Sequence, residues 1–528
     1  MGFLEVANIR FALPGGRVLF DDLSFRVPTG RHVALVGANG VGKTTILRLI
    51  AGEEKPQSGF VNIAGAVGYM RQFVGSFDSQ ATVRDFLVSM AATRVREADA
   101  ALRRSESVMS GPHGHSAQMR YAHALEGWSE AGGYEAEVLW DTCTSAALEL
   151  SMGAAGGRLL STLSGGEQKR LALEAFFRSD ASVLLLDEPD NFLDIPGKRW
   201  LEDSLNAIRK TILYVTHDRA VLANTAQSLV TLEGRSAWTH PGTFESYDLA
   251  RAHRLEKIEE EQRRYKEEHA RIEAQIREFK RRAAMNDKFA SRARAAESKL
   301  GRFEKTNAPR ERPRDQDVRM ALVGGRTGKI ALRVSKLGLP GLVRPFGTEL
   351  WFGERVAVVG ANGTGKSHFL KLLAGESITH TGDFKLGARV DPALFSQLHE
   401  RPDLAGDNAI IDVLRATGAE HGKAHSKLKH YELQEVAAIP FALLSGGQQA
   451  RFQILLMELE SPTMLLLDEP TDNLDIDSAE ALEEALLRYE GTVMAVTHDR
   501  WFMRLFDRFL VFERDGSVVE TVEPPYAL

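Results

Sequence analysis

The chain has 528 residues, 43% of them apolar and 26% charged, with a net charge of −6 and a single cysteine. These proportions are those of a soluble globular chain of roughly three or four domains, and they exclude a disordered polypeptide, a collagen and a disulfide scaffold. No stretch approaches the ~18–20 uncharged apolar residues that cross a bilayer, and Cys143 alone makes neither an internal disulfide nor a multi-cysteine zinc site.

The opening MGFLEVANIR has no basic segment followed by an apolar core, and Val6 stands where a myristoylation motif takes Ser or Thr. A cytoplasmic location is expected. In chain order, a strand-like run from Val33 to Val36 precedes the glycine loop GANGVGKT at 37–44, and a helix-like run follows from Thr45 to Ile50. Gln72 comes next, then residues 91–140, which read as helices broken near 111–114. LSGGEQ at 163–168 leads to a buried-strand run from Ser182 to Leu186 that ends in the acid pair Asp187–Glu188. Another strand, Ile212 to Val215, precedes THDR at 216–219.

Nearly all of this is then written again. GANGTGKS at 360–367 repeats the loop, Gln397 repeats Gln72, LSGGQQ at 444–449 repeats LSGGEQ, and LLLDEP and THDR recur 281 residues on. The offset falls from 325 at the glutamines to 281, so the first copy carries about 44 additional residues between Gln72 and Ser164. Continuous apolar strands alternating with helices predict a parallel sheet covered on both faces in each copy.

Between the copies the periodicity changes. Leu255, Ile258, Gln262, Tyr265, His269, Ile272, Ile276, Phe279 and Ala283 step by three and four, and Phe289, Ala293, Ala296, Leu300 and Phe303 form a second stripe. Two antiparallel helices with a tip near Met285–Lys288 are predicted, the first ~40–45 Å long. Residues 251–315 hold 20 Lys/Arg against 13 Asp/Glu, a net +7 on a remainder of −13. A basic segment on an acidic body points to a local polyanion contact. The organisation is therefore a first module over 1–245, a charged helical linker over 246–325 and a second module over 326–528.

Both glycine loops fit a phosphate cradle, G-x-x-x-x-G-K-[ST], at a helix N-terminus. Gly37, Asn39, Gly40 and Gly42, and Gly360, Asn362, Gly363 and Gly365, let backbone amides approach a β-phosphate. Lys43 and Lys366 neutralise β/γ oxygens, Thr45 in the helix turn that follows is a further nucleotide-binding candidate, and Thr44 and Ser367 coordinate magnesium. Asp187 and Asp468 end buried strands beside the loops and hold the magnesium shell; Glu188 and Glu469 are placed to polarise an attacking water. His217 and His498 each lie 30 residues beyond the Asp of their acid pair, a spacing that favours γ-phosphate contact over a bland surface role. An Asp-Glu pair after a strand otherwise caps a turn, but both copies carry it at one spacing.

At LSGGEQ and LSGGQQ the chain resembles the ATP-binding cassette ATPases over nearly all of both modules. The resemblance implies P-loop nucleotide-hydrolysing domains binding ATP with Mg2+, with Gln72 and Gln397 at the metal and Asp194 and Asp475 as D-loop aspartates. It also implies composite sites: Ser445, Gly446, Gly447 and Gln448 cap ATP on the first loop, and Ser164, Gly165, Gly166 and Glu167 cap it on the second. Phe11 is the candidate adenine-stacking residue; the stretch around Leu337–Leu339 offers no aromatic counterpart. Two cassettes in one chain with a charged helical linker resemble the ABC-F subfamily, and FASRARAAESKLGRFEK at 289–305 is similar to its second linker helix. That resemblance implies a monomer whose two cassettes pair with each other and bind the ribosomal E site when closed on ATP. Linker residues 277–305, net +6, would then reach toward P-site tRNA and adjust it or displace a drug. The first cassette reads DEPDNFLD, where many members have Thr at Asp190 and His at Phe192; the second reads DEPTDNLD.

Two other readings compete. A soluble ATP-hydrolysing subunit of a membrane transporter fits tandem cassettes but leaves the basic hairpin unexplained. A chromosome or DNA-repair ATPase usually has its coiled coil inside one cassette, not between two. Within the ABC-F reading, DEPTDNLD and the linker favour an antibiotic-resistance member over a housekeeping translation factor. The 91–140 insertion reads as an elongated helical subdomain rather than a ribosome-contacting arm.

Overall fold

The computed structural model describes residues 2–71, 80–109, 115–283, 288–307, 313, 318–396, 404, 406–417 and 421–526. Each module is built on a six-stranded sheet. In the first the order is Val67–Met70, Val183–Asp187, Thr211–Val215, His32–Val36, Ser228–Glu233 and Ser236–His240, parallel except for the last strand. In the second it is Pro392–Phe395, Met464–Asp468, Thr492–Val496, Arg355–Gly360, Arg508–Phe512 and Val518–Thr521, with the same pattern. Every residue of Val183–Asp187 is buried, because a sheet covered on both faces has no solvent side.

The strand period of two separates the faces. Leu184, Leu186, Ile212 and Tyr214 point into one cluster with the helical residues Leu171, Ala172 and Leu201. Val183, Leu185, Leu213 and Val215 point into another with Ile46, Leu47, Leu49 and Ile50 of the loop helix Lys43–Ile50. The loop helix does not cover that second face alone. A three-stranded antiparallel sheet, Val18–Val27, Leu4–Ala12 and Ser58–Ile63, shares it with the loop helix, and Val343–Trp351, Ile330–Leu339 and Thr381–Leu386 do so in the second module. Its hairpin-like strands lie before or after the glycine loops, where no motif flags them.

The additional residues of the first copy form helices Thr93–Met109, His115–Glu130 and Gly133–Leu148. Val95, Leu102, Trp128, Trp140 and Cys143 bury into the cluster beneath the sheet, so these helices are a subdomain on the cassette core.

The linker is a helical hairpin of Tyr247–Ala283 and Lys288–Thr306. Its first helix starts eight residues before Leu255, and at 1.5 Å per residue it is about 55 Å long, beyond the expected length. The early turns are fixed by tertiary partners instead of the seam: Thr231 Oγ1 donates to Tyr247 Oη (3.1 Å), Arg251 Nε bonds Glu233 (3.2 Å), and Arg254 pairs with Glu233. Farther out, Ile272, Ile276 and Ala296, with Phe279, Leu300 and Phe303, form an apolar cluster of their own. Tyr265 stacks on Phe303 at 5.0 Å, and Lys280 pairs with Glu297 at 2.7 Å.

The two modules face each other with their repeats exchanged across the seam. Ile195 buries in the hydrophobic cluster of the second module, and its repeat partner Ile476 packs against that of the first.

Candidate functional site

Each phosphate loop leaves its sheet through left-handed glycines and enters a helix. At Gly42 (φ +108°) a Cβ would stand 2.7 Å from the Phe20 ring, so the turn needs glycine for both conformation and space. The loop curls around its lysine. Lys43 Nζ donates to the carbonyls of Gly37 (2.7 Å) and Ala38 (3.1 Å), and Lys366 Nζ to those of Gly360 and Ala361 (2.8 Å each). Burial pulls Lys43 below its ordinary pKa, against the carboxylates of Asp475, Glu188 and Asp187. Thr44 and Thr45 open the first helix, and Ser367 Oγ donates to Asp468 Oδ1 at 3.0 Å in the second.

Asp187 is fully buried, and among the described residues the neighbouring Thr44 hydroxyl is the donor that faces its carboxylate. Burial raises its pKa, opposed by the Thr44 hydroxyl and the ammonium groups of Lys169 and Lys43. A desolvated carboxylate beside a helix-opening hydroxyl is the donor set a hard, oxygen-seeking cation takes, so magnesium fits the residues present. Gln72 and Gln397, the other expected metal contacts, lie outside the described residues.

Glu188 and Glu469 both adopt left-handed backbone (φ +50° and +48°), a conformation costly for glutamate and found where the surroundings impose it. Here the backbone amides are pinned to Val215 O (2.9 Å) and Val496 O (3.0 Å), which turns each side chain out of its strand. Asn191 Nδ2 donates to Glu188 Oε2 at 2.6 Å, and the His498 amide to Glu469 Oε2 at 3.0 Å. Burial, with Asp472 and Asp468 nearby, pushes Glu469 up to about 8, against Lys366 and Lys198. His217 is pushed down to about 3 by burial and Lys43, against Asp475. His498, buried beside Lys366 and Lys198, lies well below its ordinary value, and its Nε2 bonds Asn362 Oδ1 (3.1 Å).

The seam joins loop and signature from opposite modules. The Asn39 amide donates to Asp475 Oδ2 (2.8 Å) and its Nδ2 to Asn473 O (3.0 Å); Asn362 Nδ2 donates to Phe192 O (2.9 Å). A Cβ on Gly447 would sit 2.2 Å from Asn39 Nδ2, and one on Gly166 would sit 3.5 Å from Asn362 Nδ2. Ser164 and Ser445 N-cap helices Gly165–Arg178 and Gly446–Glu460, each in a capping box with Glu167 or Gln448, and the first turn of each helix lies against the opposing loop. Burial alone would raise Asp475, but hydrogen bonds from Ser478 and Asn39 and the neighbouring Arg451 and His217 bring it to about 2. Asp194 caps its own helix through the Gly197 amide (2.9 Å). A cavity of about 1040 Å³ runs along the seam between Gly166, His217, Asn362, Gly446, Glu469 and His498.

Phe11 is placed differently from the other candidates. It is 8% exposed, pairs with Phe20 across the antiparallel sheet and belongs to that core; Phe20, with Leu19, is what lies against the loop at Gly42. Leu339 and Val343 pair in the corresponding register of the second module.

Sequence reasoning did not find several residues at this site. Lys169 of the signature helix is buried and pushed down to about 8, against Asp190, Glu188 and Asp187. Lys198 is buried at the seam, and Arg219–Glu483 and Arg500–Glu202 pair across it. The common offset of 281 relates the two ion pairs and was their one sequence signal.

Phosphate loops, strand-end acid pairs and signatures set opposite them across the seam are the parts of a P-loop ATPase. The ABC transporter family model matches residues 20–191 and 343–472. An "Antibiotic resistance protein" of Mycobacteroides abscessus is 48% identical over the whole of both chains. The tylosin resistance ATP-binding protein TlrC of Streptomyces fradiae is 32% identical over 95% of this chain and 96% of its own. The energy-dependent translational throttle protein EttA of Mycobacterium tuberculosis is 29% identical over 95% and 90%. The crystal structure of archaeal ribosome recycling factor aABCE1 with ribosomal stalk protein aP1 shares the fold, with a TM-score of 0.58 at 19% identity over 97% of this chain and 89% of that one. The chain belongs to the ATP-binding cassette family, in its ABC-F subfamily, and is an ATPase. Among the described residues no helix is long and apolar enough to cross a membrane.

Proposed function

We propose that ATP with Mg2+ closes the two cassettes, that the closed cytoplasmic monomer binds the ribosomal E site, and that the hairpin acts from there toward P-site tRNA, protecting the ribosome from an antibiotic. Residues 1–245 and 326–528 supply the cassettes and 246–325 the linker. Magnesium would be held by Thr44 and Asp187 in one site and by Ser367 and Asp468 in the other, with Gln72 and Gln397, and would supply charge neutralisation to the transferring phosphoryl group. Glu188 and Glu469 take the proton of the attacking water, and His217 and His498 face the γ-phosphate.

The observation that carries this reading is the hairpin. It has its own apolar cluster and exposes Arg263, Arg264, Arg271, Lys280, Arg281 and Arg282, the surface a folded RNA's phosphates attract. Resistance is favoured over a general translation role by relatives whose names carry it. ATP can drive the cycle only through its higher affinity for the closed form. The test is sedimentation of the Glu188→Gln, Glu469→Gln protein with ribosomes and ATP. Cosedimentation that is lost on neutralising residues 277–305 is expected; protein remaining in the supernatant with ATP present would overturn the reading. A drug-susceptibility panel then separates resistance from housekeeping.

A further inference from the structure

The departure at Asp190 has a partner. Lys198 lies in helix Ile195–Ala207 of the first cassette, 6% exposed. Its ammonium forms an ion pair with Asp218 Oδ2 at 2.9 Å and, across the seam, donates to the carbonyl of His498 at 3.3 Å. Asp190 of the first cassette and Asp472 of the second line the same cavity and lie within electrostatic reach of it. The repeat does not supply this cluster twice. The counterparts of Lys198, Asp190 and Asp472 are Ala479, Thr471 and Asn191, so the first cassette contributes a cation and a carboxylate and the second a carboxylate, each at a position where the other half has an uncharged residue.

We propose that Lys198 is a positioning residue for both ATP sites, a one-sided interlock that holds the His217 and His498 loops in register when the cassettes close. The connections are short. Asp218 follows His217 directly, and its Oδ1 caps the next helix through the Ala220 and Val221 amides (2.9 Å each). The Lys198 ammonium, on the other carboxylate oxygen, therefore ties the first site's histidine loop to a fixed helix. The same ammonium holds the backbone of His498, whose amide bonds Glu469 and whose ring bonds Asn362. One cation thus touches the backbone or neighbour of both histidines, and it can do so only when the halves meet. Left without it, Asp190, Asp472 and Asp218 would be buried together with the Arg500 guanidinium as the remaining cation near Asp218. Removing Lys198 alone should oppose closure, and removing it with the two seam carboxylates should not.

The inference rests on the reading that ATP closes the cassettes, and the test separates the two. In the Glu188→Gln, Glu469→Gln parent, retention of labelled ATP after rapid gel filtration reports closure. If the parent retains none, the closure reading itself fails. With a retaining parent, Lys198→Met should release ATP about tenfold faster. Adding Asp190→Thr and Asp472→Asn, the residues of the other half, should bring release back to within about threefold of the parent. Two further readouts distinguish positioning from general stability. The ATP-free Lys198→Met protein should melt within about 3 °C of its parent. In single Glu188→Gln and Glu469→Gln backgrounds, Lys198→Met should lower kcat at saturating ATP by about tenfold, and the two added carboxylate replacements should restore it. Unchanged release in Lys198→Met, no recovery in the triple variant, or a fall in the melting temperature of the ATP-free protein beyond about 3 °C would overturn the proposal.

Discussion

Arg219 of the first cassette grips Glu483 of the second through both guanidinium nitrogens, and 281 residues on, Arg500 grips Glu202 in the reciprocal direction. The two arginines are almost wholly buried, and each follows its Thr-His-Asp motif directly. The two pairs join the histidine loops of both modules to the helices Ile476–Arg488 and Ile195–Ala207 of the opposite module.

Truncating one partner of a buried ion pair strands a charge, at about 3–5 kcal/mol in the closed form alone, because the open form solvates it. Arg219→Ala and Arg500→Ala should each accelerate ATP release from the Glu188→Gln, Glu469→Gln protein by about 100-fold or more. The swap Arg219→Glu with Glu483→Arg should recover part of it. A cycle in which the two substitutions act independently would remove this pair from the closing mechanism.

The composite sites tolerate added bulk unequally. A methyl at Gly447 meets Asn39 Nδ2 at 2.2 Å and Asn473 O at 2.7 Å, whereas one at Gly166 meets Phe192 O at 2.9 Å and Asn362 only at 3.5 Å. Gly447→Ala should abolish ATP retention at the first site, and Gly166→Ala should weaken it at the second by about tenfold. Retention is measured with Lys366→Ala or Lys43→Ala silencing the other site.

Closure should take up protons in weak acid. Burial and Asp218 raise Asp190 to about 6, and burial and Asp190 raise Asp472 to about 6, with Lys198 opposing both. A carboxylate raised from 3.8 toward 6 binds more protons in the closed form, so closed-form stability falls as pH rises through that window. Asp218, held low by Lys198 and Arg500 despite its burial, contributes with the opposite sign below that window. Inter-cassette energy transfer in the non-hydrolysing protein should show closure weakening between pH 4.5 and about 6.5. Asp190→Thr with Asp472→Asn should flatten that slope.

The hairpin has its own apolar cluster, so damage to it should not reach the cassettes. Ile276→Asp places a charge between Ile272, Ala296 and Phe279 and should unfold the outer hairpin. ATPase activity without ribosomes should stay within about twofold, while ATP-dependent cosedimentation falls about tenfold. Circular dichroism would register the lost helix, and equal loss of both activities would contradict the separation.

What the amino-acid order by itself determined is whatever chemistry is local. The phosphate loops, acid pairs and signatures are short because a backbone turn, a strand end and a helix cap each fix a few consecutive residues, and the repeat doubled every signal. The heptad stripe likewise marked the hairpin, except for the turns before Leu255 that Tyr247 and Arg251 anchor to the first cassette. Tertiary structure alone decided the rest. The antiparallel sheets bury Phe11 beside Phe20, a placement no motif encodes, and Lys198 reads as an ordinary helical lysine until folding brings Asp218, Asp190, Asp472 and the His498 carbonyl around it. A charge becomes decisive only once water is removed from it, and which charges lose their water is settled by how the two halves meet, not by spacing along the chain.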